Sequence, residues 1–366
     1  MHRYKLLLSL IVGTVCSAAA LYLAFRNVPL AALGTYVVSV HPLWTLVAAA
    51  LVILNFVVRV WRWQLILADS AKVNFWPAFH PLMIGFMMNC ILPGRIGEIA
   101  RPAILSKRTA VPFATGLATV ATERAFDALI LIALFAWTMT GANIDPGFHM
   151  DVGGIVLNRQ TLIQLGKGTA ELCVLLIAGI ALVGYDTTRR GLIRILFWVS
   201  GRFPKSMEGP IQRYLTTPMV HLIEKAAVGF RMIQSPKKMG QCLLLSVLVW
   251  AIACLSYHTM VLGAPGIHLG LRETAVMMTI ICFVIAIPSV PGFWGIWEAG
   301  GVFALSLFGI AQQEAAGFTL VNHAVQMFPV ILIGIGSAVV TGINIVHVSR
   351  EIHSQTEAPK PEVQPL

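Results

Sequence analysis

Apolar residues run through this chain in blocks rather than at a helical or strand spacing. The blocks cover 6–25, 43–67, 77–92, 112–138, 163–185, 241–262, 273–309 and 318–346. Most reach or exceed the roughly 20 residues that a helix needs to cross a bilayer. The pattern predicts an all-α polytopic bundle. Two blocks are interrupted by the same kind of signature: Pro93-Gly94-Arg95-Ile96-Gly97-Glu98 closes one, and Pro291-Gly292-Phe293-Trp294-Gly295-Ile296-Trp297-Glu298 breaks another 198 residues later. About thirty residues beyond each lies a second matched set, Glu123-Arg124-Ala125-Phe126-Asp127 and Asn322-His323-Ala324-Val325-Gln326, at an offset of 199. Two nearly equal offsets predict internal duplication. Pro93, Gly94, Gly97, Pro291, Gly292 and Gly295 are the expected breaks of two helical hairpins, and broken helices at equivalent places are where repeat-built transporters hold substrate.

Charge sharpens the topology. Charged residues make up 11% of the chain and hydrophobic ones 57%, against roughly 25% charged in soluble domains. With the N-terminus inside and 77–106 and 273–309 drawn as re-entrant hairpins, cytoplasmic pieces hold 21 of the 26 Lys and Arg. Only Arg26, Arg159, Lys167 and Arg272 fall outside, and Arg124 lies within the membrane. That asymmetry is the positive-inside signal. The expected architecture is therefore about six full spans plus two re-entrant hairpins, in an inverted repeat. A single membrane domain occupies 1–346, with repeat one over 1–140 and repeat two over about 160–346. A basic cytoplasmic insertion at 186–240 is expected to collar the bilayer surface, and a polar, Pro-rich tail at 347–366 to be disordered. Both termini are expected in the cytoplasm. The first block imitates a secretory signal, but its length favours an uncleaved helix.

The net charge of +10 is thus explained by sidedness. No aromatic-interleaved basic motif points to nucleic acid, so none is expected as a partner. The six cysteines lie in apolar segments without CxxC spacing, and neither a metal nor another cofactor is expected. The absence of a P-loop places any ATP drive on a partner.

Buried charge marks the candidate site. After the Pro-Gly break the chain is expected to restart as a short helix near Ile96, whose N-terminus with Arg95 suits a phosphate. Glu98 and Arg101, three apart, are placed either to serve that site or to neutralise each other beside the turn. Glu123, Arg124 and Asp127 fall about mid-depth in the 112–138 helix, where each unpaired charge costs roughly 2.5–3.5 kcal/mol. Arg124 can reach Asp127 within the helix, which would leave one carboxylate in excess for a cation or a coupling proton. A purely structural salt bridge to the hairpin is the alternative. The second repeat offers Glu298, Asn322, His323 and Gln326, polar throughout but with less charge. Arg59, Trp61, Arg62 and Trp63, at the end of the second block, read as snorkelling arginines in an aromatic belt, or else as a surface for lipid phosphates. Trp294 and Trp297 either pack the second tip or shield acyl chains.

The run Asn89-Cys90-Ile91-Leu92-Pro93-Gly94-Arg95-Ile96-Gly97-Glu98, followed by Arg101, resembles the family of lysylphosphatidylglycerol synthase transmembrane regions, also called flippase-like proteins. Glu123-Arg124 with Asp127, Pro291-Gly292 with Gly295 and Glu298, Arg62-Trp63, and the His323, Pro329, Gly334 series fit the same pattern. The resemblance implies a multi-pass translocase for a polar-headed lipid: a phospholipid, a hopanoid or a polyprenyl-phosphate-linked lipid. Arginines would attract the lipid phosphate, while Glu98, Glu123, Asp127 and Glu298 would bind a head-group amine, exchange protons or reset the arginines. Lipid-biosynthesis enzymes are the expected neighbours in a prokaryotic cytoplasmic membrane. Relatives often carry an arginine where Asn322 or His323 stands. The chain ends at Leu366 without an aminoacyl-transferase domain, so no lysyl transfer is expected, and with no Asp-rich metal motif, paired His ligands or nucleotide-binding Gly loop no other enzymatic activity is expected. A membrane-embedded lipid-modifying transferase and an ion-coupled transporter of a small solute are the alternatives.

Overall fold

A computed structural model describes residues 15–345 apart from 16, 23, 27, 69, 93–94, 153–154, 204–208, 221–222, 225–234 and 287–290. Pro93, Gly94, most of the 6–25 segment and the 347–366 tail lie outside the described residues. The helices are α1 (Leu30–Ser39), α2 (Pro42–Leu67), α3 (Phe75–Ile91), α4 (Gly97–Arg108), α5 (Phe113–Met139), α6 (Arg159–Gly184), α7 (Asp186–Ser200), α8 (Pro236–Leu262), α9 (Leu271–Val284), α10 (Ile296–Ser306) and α11 (Gln312–Thr341). A short antiparallel hairpin, β1 (His149–Val152) and β2 (Ile155–Asn158), precedes α6. Nothing in the apolar blocks announced it.

The protein is an α-helical membrane bundle. Helix α2, the Gln160–Gly184 part of α6, α8 and α11 are each long and apolar enough to cross a membrane. Helix α5 is 27 residues long but carries Glu123, Arg124 and Asp127, so its insertion depends on neighbours that neutralise them. At 17 and 14 residues, α3 and α9 are shorter than the roughly 20 needed to span. Each packs against the helix that follows it, α3 on α4 and α9 on α10, so the chain turns back at each break as the hairpin reading expects.

Contacts across the bundle come in matched pairs. Helices α2, α3, α4 and α5 have counterparts in α8, α9, α10 and α11, which begin 194 to 199 residues later. Helix α2 packs on its own counterpart α8. Likewise α3 packs on α11 as α9 does on α5, α4 on α5 as α10 on α11, and α1 on α11 as α6 on α5. The tips match in backbone as well. Arg95 and Phe293, 198 residues apart, both take left-handed φ values, 54° and 59°, a conformation that costs a side-chain-bearing residue energy and is concentrated at functional sites.

Outside the paired elements, α7 carries the amphipathic character expected of the basic insertion. It exposes Ile195, Phe197 and Trp198, and Arg189 pairs with Asp186 at 2.6 Å.

Candidate functional site: a charged cavity between two hairpin tips

Insertion of α5 is made possible by a polar stripe on α2. Asn55, Arg59 and Arg62 recur at i, i+4 and i+7, which places them on one helical face. Arg62 is fully buried. Its Nη1 donates to Asp127 Oδ1 at 2.7 Å and to Ser246 Oγ of α8 at 3.1 Å, and its Nη2 lies 3.4 Å from Glu123 Oε1. Arg59 is held by Asn55, through Nε to Oδ1 at 2.7 Å, and approaches Asp127 Oδ2 at 3.6 Å. Trp63, also fully buried, donates to Thr119 Oγ1 at 3.0 Å and lies under the Arg101 guanidinium, 3.6 Å from the ring centre. The belt reading of Arg59, Arg62 and Trp63 is therefore corrected, because α5 supplies carboxylates that outcompete the interface. Trp61 alone of the four is exposed.

Two further pairings differ from the local expectation. Arg101 does not pair with Glu98; it meets Glu123 Oε2 at 2.5 Å across α4 and α5. Glu98 lies 3.8 Å from Arg95 and 4.0 Å from Arg124. Arg124 does reach Asp127, at 3.1 Å within its own helix. The excess carboxylate is also corrected. The connected cluster holds five guanidinium groups, those of Arg59, Arg62, Arg95, Arg101 and Arg124, against the three carboxylates of Glu98, Glu123 and Asp127. Its surplus is two positive charges.

The second repeat builds the same junction with different chemistry. Glu298 on α10 and His323 on α11 are both fully buried and meet at 2.6 Å, where their first-repeat counterparts Glu98 and Arg124 approach to 4.0 Å. Glu298 Oε2 accepts the Gly295 N–H at 2.7 Å and so caps α10. Gly295 has φ 87°, and a side chain there would strike the Ser17 carbonyl. Trp297 stacks on His323 with ring centres 4.4 Å apart and planes at 4°, and Trp294 covers the ring at the same distance. The two tryptophans thus pack the tip. Gln326 donates to Ser256 Oγ at 2.9 Å, and buried Asn322 lies 3.4 Å from it.

The tips face each other. Arg95 Nη2 donates to the carbonyl of Ile285, just past α9, at 2.9 Å, and the Cys90 carbonyl lies against Gly292. Between them is a cavity of 250 Å³ reached by both hairpins and by α2, α5, α8 and α11. Phe56, Phe86, Trp250 and Val330 give it apolar walls. Of the residues expected at the site, Arg95, Glu98, Arg124 and Gln326 line this cavity; Arg101, Glu123, Asp127, Glu298, Asn322 and His323 stand behind it as buried supports. Sequence reasoning missed Asn55, Trp250 and Tyr257, which also line it, and did not place Arg59 or Asn89 at the cavity. For Asn55 and Arg59 a signal existed in the stripe along α2. Among the described residues no group of His, Cys, Asp and Glu is arranged to hold a metal ion, and all five described cysteines are free.

A duplicated helical bundle with broken hairpins around a charged internal cavity defines a multi-pass membrane protein. The family model described as the lysylphosphatidylglycerol synthase TM region matches residues 6–334, and the chain belongs to that family. The chain is also similar to a protein named glycosyltransferase AglD from Haloferax volcanii, 22% identical over 280 residues, covering 70% of this chain and 42% of that protein. It therefore spans less than half of that relative's length. No solved structure matches it.

Proposed function

We propose that the protein is a lipid translocase that carries a phosphate-bearing polar lipid between the leaflets of a cytoplasmic membrane, with both termini on the cytoplasmic side. The observation that supports this most is the cavity between the tips, apolar in its walls and edged by Arg59, Arg95 and Arg124. Two surplus positive charges at low dielectric favour an anionic ligand, and a guanidinium grips two phosphate oxygens at once. Apolar walls suit the region where head group joins acyl or prenyl chain. Paired hairpins facing one site suit alternating access, with one repeat rocking against the other. On this reading the protein makes no covalent change, needs no cofactor, and takes lipid delivered by biosynthetic enzymes.

Leaflet exchange of fluorescent lipids in proteoliposomes tests the proposal. Wild-type protein is expected to accelerate exchange of an anionic lipid, and Arg95→Ala to remove that acceleration while melting like wild type. The name of the Haloferax relative motivates a second reading, a membrane-embedded glycosyltransferase. Turnover of a labelled sugar donor by folded protein that exchanges no lipid would decide for it.

A further inference from the structure

The two hairpin tips are equivalent in chain order but not in state. In the first repeat Glu98 and Arg124 approach only to 4.0 Å, with side chains 30% and 34% exposed, and both line the cavity. Their counterparts Glu298 and His323 meet at 2.6 Å with side chains 0% and 1% exposed. Trp294 and Trp297 close over the imidazole, and Tyr257 of α8 stacks on Trp297. One junction is open to the cavity and the other is sealed. Inverted repeats change access by moving one half against the other around a fixed site. Exchange of the two conformations therefore seals Glu98 with Arg124 and opens Glu298 and His323 toward the opposite face.

The sealed pair also differs in what it can hold. Glu98, Glu123 and Asp127 each face guanidinium groups, which do not give up protons. Among these four carboxylates Glu298 alone is paired with a histidine, the side-chain type whose ordinary charge change falls near neutral pH. One proton lies between His323 Nδ1 and Glu298 Oε1, and His323 Nε2 is buried with no partner in the protein. With Nε2 protonated the pair is neutral; without that proton it carries one negative charge. The groups packed around it are uncharged: Asn322, Trp294 and Trp297 on its own elements, Tyr257 on α8 and, beside Tyr257, Cys282 on α9. Arg59 and Arg95 line the cavity that Trp297 borders, but neither pairs with Glu298. Sealing a net charge away from water is costly, so the junction closes with the proton and releases it on opening.

We infer that Glu298 and His323 form a proton-binding site, occluded in this conformation, whose opening couples lipid movement to a proton gradient. The site stands on its own geometry, while the coupling rests on the protein being a translocase.

Two measurements on the full chain separate the site from the coupling. Protonated imidazole quenches an indole stacked on it, so tryptophan emission in detergent reports the site without any transport. The background is His80→Gln, because His80 stacks on Trp76. Emission is expected to change with pH through the neutral range, and to lose that change in His323→Arg, where a guanidinium stands as Arg124 does in the first repeat. His323→Gln, which keeps a hydrogen bond to Glu298 and cannot titrate, serves if the arginine variant does not fold. Emission that is flat with pH before His323 is replaced, or a change that survives its replacement, would overturn the site. The second measurement follows fluorescent phosphatidylglycerol in proteoliposomes with the membrane potential clamped. A gradient of one pH unit is expected to drive its leaflet ratio away from that of protein-free vesicles, up to about tenfold for one proton per lipid. Reversing the gradient should reverse the asymmetry, and His323→Arg should abolish it. Exchange that ignores the gradient would overturn the coupling. A titrating site in protein that exchanges no lipid would uphold the proton site and overturn translocation alone.

Discussion

Arg62 on α2 lies 2.7 Å from Asp127 on α5, with neither open to solvent. The same guanidinium reaches Glu123 and Ser246, so one side chain ties three helices together. Removing one member of such a pair strands the other in a medium that cannot solvate it, at a cost of about 3–5 kcal/mol. Arg62→Leu is expected to lower the melting temperature in detergent sharply. Arg62→Lys is expected to recover little, since a point charge cannot span Asp127, Glu123 and Ser246 together. The double variant Arg62→Leu/Asp127→Asn should regain part of the loss. Wild-type melting of Arg62→Leu would show that the bridge carries no stability.

Arg124 is different, because about a third of its side chain is exposed, toward the cavity. Arg124→Gln should lower the melting temperature far less than Arg62→Leu, because buried Asp127 keeps Arg62 as its partner. It should nonetheless reduce exchange of anionic lipid at least tenfold in proteoliposomes. A variant that exchanges lipid at the normal rate would remove Arg124 from the site.

Glycines separate into two classes that a melting experiment can distinguish. A Cβ on Gly97 would collide with the Gly85 carbonyl and Asn89 Oδ1, because α3 and α4 approach through their backbones there. Gly97→Ala is therefore expected to lose folded yield. Gly34 and Gly336 sit in helices with nothing near a new Cβ. Alanine at either should be neutral or stabilising by roughly 0.5–1 kcal/mol. Equal behaviour of the three variants would contradict the close approach.

Glu298 serves two partners, the Gly295 N–H and His323. Glu298→Gln keeps one acceptor but turns an N–H₂ toward the other partner, and an unmet buried group costs about 1–3 kcal/mol. Thermal unfolding should show a loss of that size, with Glu298→Ala worse. His323→Ala should also be destabilising, because it strips the ring from between Trp294 and Trp297. If Glu298→Gln melts as wild type while His323→Ala does not, the stacking rather than the hydrogen bond holds the tip.

Much of the scaffold was legible in the chain. The blocks 43–67, 112–138 and 163–185 correspond to α2, α5 and α6 within a few residues, because bilayer thickness fixes how long an apolar run must be. Helix α8 begins at Pro236, ahead of the apolar block, since its first turn is basic and amphipathic rather than apolar. The chain is interrupted between α3 and α4 and between α9 and α10, and the restart expected near Ile96 matches the N-cap of α4.

The sequence by itself determined which charges matter, because Glu123, Arg124 and Asp127 are too costly to insert without a purpose. Only the tertiary structure decided who neutralises whom. Arg62 beside two tryptophans at the end of a span fits an interfacial belt as well as a buried bridge, and nothing local distinguishes them. Packing of α2 against α5 brings Asp127 to it, and the approach of α4 to α5 gives Arg101 to Glu123 rather than to Glu98 three residues away. Ion-pair energies depend on distance and on the exclusion of water. Both are properties of packed helices, so the sign of the cavity's charge emerges only when the helices are together.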